Sequence, residues 1–163
     1  MQLMSVVTKT GDDGKSRWNN QVVEKDSPLL EAIGTIDELM AVLGTEIKRD
    51  PQRREYMLSI INRYLYRISG VLAGFEVSEK EYFEMMVEEI ENEIKKREDE
   101  LDRRGEFLTA GIQLEANMNW ARTVCRRAER RLVTLNKVSP IDPNILKYIN
   151  RLSDYLFLEA RKD

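Results

Sequence analysis

The sequence predicts an all-α fold, an up-and-down bundle of five helices around a four-helix-bundle-like core. Three observations predict it. Charged residues make up 34% of the chain and aromatics only 7%, whereas strand-rich chains use more β-branched and aromatic residues. Apolar residues recur at steps of three and four through long segments, the inward stripe of an amphipathic helix. Short connections join those segments, which favours antiparallel neighbours. A chain of 163 residues is enough for one domain with a real core. We expect the bundle over residues 26–163 and a loop arm over 1–25.

Residues 1–25 are polar and lack helical periodicity, and Thr8-Lys-Thr-Gly-Asp-Asp-Gly-Lys-Ser16 reads as a turn-rich loop. Asp26-Ser27-Pro28 opens the first helix, with Ser or Asp as cap and Pro in the first turn. Its expected stripe is Leu29, Ile33, Ile36, Met40, Leu43 and Ile47. Asp50-Pro51 starts a second helix, lined by Tyr56, Ile60, Leu65, Ile68 and Leu72 and ending near Gly74. Ser78 and Glu81 form a capping box for a third, which turns Phe83, Val87, Ile90, Ile94 and Leu101 inward. Glu93 and Arg97 stand at pairing distance on its outer face, and Gly105 ends it. The fourth spans roughly 110–136 on the stripe Leu114, Met118, Ala121, Cys125, Ala128, Leu132 and Leu135. Asp142-Pro143 starts the last, with Ile145, Ile149, Leu152, Leu156 and Leu158 apolar.

Several function classes are disfavoured. A net charge of −3 argues against nucleic-acid binding. No apolar run approaches a membrane span, and no signal peptide is read. The one cysteine, Cys125, lies on a core stripe, so we expect an inert thiol and a cytoplasmic protein. Histidine is absent, which removes histidine general-base chemistry, most catalytic zinc sites and a ferritin-like di-metal centre.

Four constellations remain. Arg122-Thr-Val-Cys-Arg-Arg-Ala-Glu-Arg-Arg131 packs five arginines into ten residues of a core helix. Arg122, Arg126 and Arg130 step by four beside the apolar seam and must be met by anions, either carboxylates or phosphates. Asp37, in Gly34-Thr-Ile-Asp-Glu-Leu39, borders the first helix's seam and offers such a carboxylate; an exposed acidic pair is the plainer reading. Asn150 and Asp154 share a face with Phe157 on the last helix. Asparagine is a poor helix former, so Asn150 has either a ligand or a structural partner. Gly11-Asp-Asp-Gly-Lys-Ser16 ends like a P-loop, but Lys9 stands where that motif needs its first glycine, and no strand is expected before it. The loop can still offer amides, hydroxyls and ammonium groups to phosphate, or be a solvated arm. These residues alone yield a helical bundle with an anion site and no reaction.

Taken together and in order, the loop Thr8–Gly14, Gly34–Leu39, the arginine helix and Asn150-Arg-Leu-Ser-Asp-Tyr-Leu-Phe157 resemble the PduO-type ATP:cob(I)alamin adenosyltransferases over nearly the whole chain. The resemblance implies a five-helix bundle that assembles as a homotrimer with active sites at subunit interfaces. It implies transfer of the 5′-deoxyadenosyl group of ATP to the cobalt of cob(I)alamin, with release of triphosphate. ATP with Mg²⁺ and reduced cobalamin would be the ligands, the Mg²⁺ on phosphates rather than on side chains. A cobalamin reductase and an adenosylcobalamin-dependent enzyme would be partners; nucleic acid and membrane would not. By the same resemblance Thr8, Lys9, Thr10, Gly11, Asp12, Lys15, Lys25, Arg126, Glu129, Arg130 and Asn150 bind ATP. Asp37 and Arg122 pair across the interface; with Arg126 and Arg130 they form the catalytic set. Phe107 crowds the lower corrin face, and Asp154 lies on the corrin side.

The chain also departs from the family. Phe107-Leu-Thr-Ala-Gly-Ile-Gln113 lacks the family's proline. Asn119 replaces a histidine, and Arg17-Trp-Asn-Asn-Gln21 replaces a glycine-rich stretch. The alternative that these departures keep open is a non-catalytic relative that binds ATP or cobalamin as carrier or sensor.

Overall fold

A computed structural model describes residues 11–18, 21–47, 54–77, 79–103 and 114–161. Five helices carry the fold: α1 (Pro28–Ile47), α2 (Arg54–Leu72), α3 (Lys80–Arg103), α4 (Ala116–Val138) and α5 (Pro143–Ala160). Two short strands precede them, β1 (Lys15–Trp18) and β2 (Gln21–Glu24).

The strands correct the expectation that residues 1–25 are loop throughout. They pair antiparallel with Lys15 opposite Glu24 and Trp18 opposite Gln21. The sequence signal was an asparagine pair between Trp18 and Val22-Val23, a hairpin pattern easily lost in a polar stretch.

Ser27 is the cap of α1: its Oγ accepts from the Leu30 amide at 3.4 Å, and Pro28 takes the first helical position. Asp142 caps α5 by accepting from the Asn144 amide at 2.9 Å. Asn136 closes the turn before it, its Oδ1 accepting from the Ile141 amide at 2.9 Å. Gly74, at φ 71°, takes the left-handed conformation that ends α2. Leu114 and Glu115 are not helical, so α4 starts at Ala116, later than expected. The capping residue Ser78 and the terminator Gly105 lie outside the described residues.

The helices alternate in direction. α1 packs on α2 and α4, and α5 packs on α4 and α3. Tyr64 of α2 completes the ring, with its hydroxyl on Glu89 of α3 and its ring edge-on to Tyr148 of α5 at 5.9 Å. Burial and the Glu89 contact hold the Tyr64 hydroxyl in its protonated form, well above the usual tyrosine range. The start of α4 is tied to the end of α5 by the Glu115 amide on the Ala160 carbonyl at 2.7 Å, and to the end of α1 by Asn117 on the buried Glu46 carboxylate at 2.9 Å. Such ties satisfy polar groups that would otherwise be costly inside.

The stripe read for α4 is buried apart from half-buried Leu114, with Val124 added. That of α1 is shifted: its fully buried line is Ala32, Thr35, Ile36, Leu39, Val42, Leu43 and Glu46, while Leu29, Ile33, Met40 and Ile47 are only half-buried. Tyr56, expected in the α2 core, is 72% exposed, and Met57, Leu58 and Ile61 take the inward positions. On α3, Glu93 meets Lys96, while Arg97 turns inward to Glu100 and to Glu159 of α5. No helix among the described residues is long and apolar enough to cross a membrane.

Candidate active site

One helix presents two different arginine faces. On the flank toward α1, Arg127 pairs with Glu38, and Arg131 meets Glu31 at 3.1 Å. Glu31 and Glu38 lie seven residues apart on α1 and so share a face, which is why both reach α4. The α1 carboxylates that receive α4 arginines are therefore Glu31 and Glu38, the second next to the expected Asp37. Asp37 itself is exposed and pairs with no other described residue.

On the other flank, Arg126 and Arg130 are exposed, and their guanidinium groups pair with no other described residue. Arg122 is half-buried one turn earlier, with Nε donating to Asn119 Oδ1 at 2.9 Å. Asn119, the residue that departs from the family, thus orients the first arginine of the strip. Glu129 lies half-buried between Arg126 and Arg130.

This flank looks toward α5, and Cys125 marks the seam. Its Sγ is buried and donates to the Ile149 carbonyl at 3.3 Å. Burial pushes its pKa far up, with Glu129 and Asp154 adding to the rise and Arg126 opposing it. The thiol is inert, as read, and its neighbours place Arg126, Glu129 and Asp154 around one point. Asn150 and Asp154 are exposed beside it on α5. Asp154 has Arg151 at 3.9 Å as its ion-pair partner. Phe157 lies on the same face, with Arg161 stacked 5.8 Å from its ring centre.

Two open hollows flank the outer side of α4. One of about 290 Å³ lies over Leu30, Gly34, Thr35 and Glu38 and is bounded by Arg127 and Arg131. A second of about 340 Å³ shares those two arginines and adds Arg130 and Thr134. A Cβ on Gly34 would meet nothing within 4 Å, so α1 offers bare backbone surface there.

Part of the N-terminal loop lies within the described residues. Lys25 donates from Nζ to the Gly11 carbonyl at 2.5 Å and from its amide to Gly14 at 2.9 Å. Gly11, Asp12, Lys15 and Lys25 thus form one turn at the open end of the hairpin. Lys15 stands 4.0 Å from Glu24 across the strands. Thr8, Lys9, Thr10 and Phe107 lie outside the described residues. Two features escaped the sequence reading: the double pairing of α4 to Glu31 and Glu38, and the fastening of the hairpin through Trp18, described below.

Chemically, unpaired arginines beside a seam with a carboxylate and an amide form a site for a polyanion with a hydrogen-bonding head group. Among the described residues no three His, Cys, Asp or Glu side chains cluster as a metal cage.

Known proteins give this arrangement its family. Residues 6–163 match the family described as cobalamin adenosyltransferase. The corrinoid adenosyltransferase of Bacillus subtilis (strain 168) is 35% identical, over 97% of this chain and 86% of its own length. The corrinoid adenosyltransferase MMAB of Mus musculus is 34% identical, over 98% of this chain and 73% of its own. Among solved structures, a variant PduO-type ATP:co(I)rrinoid adenosyltransferase from Lactobacillus reuteri complexed with ATP superposes with a TM-score of 0.80 at 26% identity. It is covered over 92% of its length by 96% of this chain. Another variant from the same organism, complexed with cobalamin and ATP, gives a TM-score of 0.77 at 26% identity, covering 96% of this chain and 92% of its own. A bundle of this shape, with its arginine strip and its match over nearly the full length, belongs to the cobalamin adenosyltransferase family.

Proposed function

We propose that the chain transfers the 5′-deoxyadenosyl group of ATP to the cobalt of cob(I)alamin. The observation that carries this is the α4 strip: Arg126 and Arg130, unpaired among the described residues, beside Glu129 and next to the Cys125–Ile149 seam with α5, the helix that carries Asn150 and Asp154. Family membership supplies the substrates.

The reaction asks little acid–base chemistry of the protein. The cobalt(I) lone pair attacks C5′ of ATP, the cobalt–carbon bond forms, and the C5′–oxygen bond breaks. Triphosphate leaves with that electron pair, and cobalt becomes formally +3. Cobalt(I) is a strong nucleophile, so a chain without histidine can perform the step. The difficulty lies in the charge on the departing oxygen, which Arg126 and Arg130 stabilise. Gly11, Asp12, Lys15 and Lys25 hold the phosphate end, with Thr8, Lys9 and Thr10 preceding them. Glu129 and Asn150 hold the nucleoside end. Mg²⁺ on the triphosphate would neutralise part of its charge. What remains is alignment of cobalt with C5′, an orientation effect. Phe107 and Asp154 are the residues we assign to the corrin.

We further propose that the chain acts as a homotrimer, with Asp37 of one copy meeting Arg122 of the next. Asp37 is exposed and without a partner among the described residues, and Nε of Arg122 is held by Asn119. Bare surface at Gly34 leaves room for close approach. A buried free thiol fits the reducing cytoplasm, where a cobalamin reductase would supply the substrate and an adenosylcobalamin-dependent enzyme would take the product.

The products test the reaction type. Anaerobic incubation with MgATP and chemically reduced cobalamin should give adenosylcobalamin and intact triphosphate in equal amounts. Release of ADP, or ATP binding without consumption, would contradict it; the second result would mark a carrier or sensor.

A further inference from the structure

The β1–β2 hairpin is too small to hold its own place. Each strand has four residues, and an isolated two-stranded hairpin is marginal in water. In β1 Lys15 and Arg17 are exposed while Ser16 and Trp18 are half-buried, so one face turns toward the helices.

Trp18 makes the attachment. Its indole Nε1 donates to the Ala73 carbonyl at 3.1 Å, and its ring lies 5.3 Å from that of Phe75, tilted at 45°. This contact gives a partner to Phe75, which is still 70% exposed.

The receiving turn is itself well fixed. The Ala73 amide donates to Ser69 at 2.9 Å, and the Phe75 and Glu76 amides donate to Gly70 at 2.9 and 3.2 Å. Arg67 holds the Glu76 carboxylate. Gly70 permits the close pass, since a Cβ there would meet that carboxylate at 3.1 Å.

At its other end the hairpin carries the loop, through Lys25 on Gly11 and Gly14. One end is therefore bolted to α2, and the other bears the groups assigned to the triphosphate. We propose that Trp18 is a positioning residue for nucleotide binding: fastened to the α2 turn, it sets where the Gly11–Lys15 loop and Lys25 stand against the bundle. This rests on the adenosyltransferase reading above. It also gives a role to Arg17-Trp-Asn-Asn-Gln21, where the sequence leaves the family's glycine-rich pattern.

The test is steady-state kinetics of Trp18→Leu, Trp18→Phe and Phe75→Ala, varying ATP and cob(I)alamin separately, with helix melting followed by circular dichroism. A hydrogen bond plus an aromatic contact is worth roughly a factor of ten. Trp18→Leu should raise the KM for ATP by about that factor, with kcat, the KM for cob(I)alamin and helix melting little changed. Trp18→Phe, which keeps the ring contact, should recover part of the loss, and Phe75→Ala should show a smaller shift of the same kind. An unchanged KM for ATP would overturn the proposal. So would a fall in kcat with a rise in both KM values and lowered melting, which marks a merely structural tryptophan. Wild-type protein that binds no ATP would overturn the functional reading and this proposal with it; an active wild-type enzyme whose KM for ATP is matched by Trp18→Leu would overturn only the proposal.

Discussion

Arg126 and Arg127 are neighbours in sequence with opposite surroundings. A step of 100° around the helix turns Arg127 onto Glu38, while Arg126 faces the α5 seam with no partner among the described residues. An arginine already matched by a carboxylate has little to offer a phosphate, and an exposed ion pair adds about 0–1 kcal/mol to stability. An unmatched arginine costs the free protein little and gains a charged ligand. Arg126→Ala should therefore lower kcat/KM by about 10²–10³ with the helical spectrum intact, and Arg127→Ala should cost far less. Equal losses in the two variants, read in one assay, would remove the distinction drawn between the faces. The cluster itself was legible in the sequence as five arginines beside an apolar stripe. Which of them already had partners was not, because the partners, Glu31 and Glu38, sit on a different helix far back in the sequence.

The elements were legible where apolar residues alone fill the buried face. α4 packs on α1 and α5, and its apolar residues map almost one-to-one onto its buried face. α1, held likewise between two neighbours, α2 and α4, buries Thr35 and Glu46 along with its apolar residues, and the hydrophobic residues at its edges end half-buried. Thr35 pays no desolvation penalty because its hydroxyl donates to the Glu31 carbonyl at 2.7 Å, and Glu46 is met by Asn117. Apolarity alone therefore placed the stripe of α1 at the wrong angle. Tyr56 misled for a related reason: an aromatic near a helix start reads as core, but burial follows the angle set by Met57, Leu58 and Ile61. The hairpin was missed because strands of four residues leave almost no periodic signal. Its placement depends on one tryptophan meeting a turn more than fifty residues later.

At the scale of the molecule, the helices form a closed ring that places the α4 strip on the outside, on the α5 side. An active site on an outer face is exposed to water unless something covers it, and a second copy of the chain would both cover it and supply Asp37. Asp37→Asn should then weaken turnover and shift the sedimentation profile toward smaller species as the protein is diluted. Unchanged kinetics and sedimentation would mean that the site is complete within one chain. Assembly is proposed on the family resemblance, since nothing in the periodicity of one chain distinguishes an arginine awaiting a partner subunit from one awaiting phosphate.

The most direct measurement is the visible spectrum of chemically reduced cobalamin, kept anaerobic with the protein, on addition of MgATP. The account predicts that the cob(I)alamin spectrum gives way to that of adenosylcobalamin only when both protein and ATP are present, and that the conversion is nearly lost with Arg126→Ala. A cob(I)alamin spectrum left unchanged by ATP, in protein shown to be folded, would contradict it.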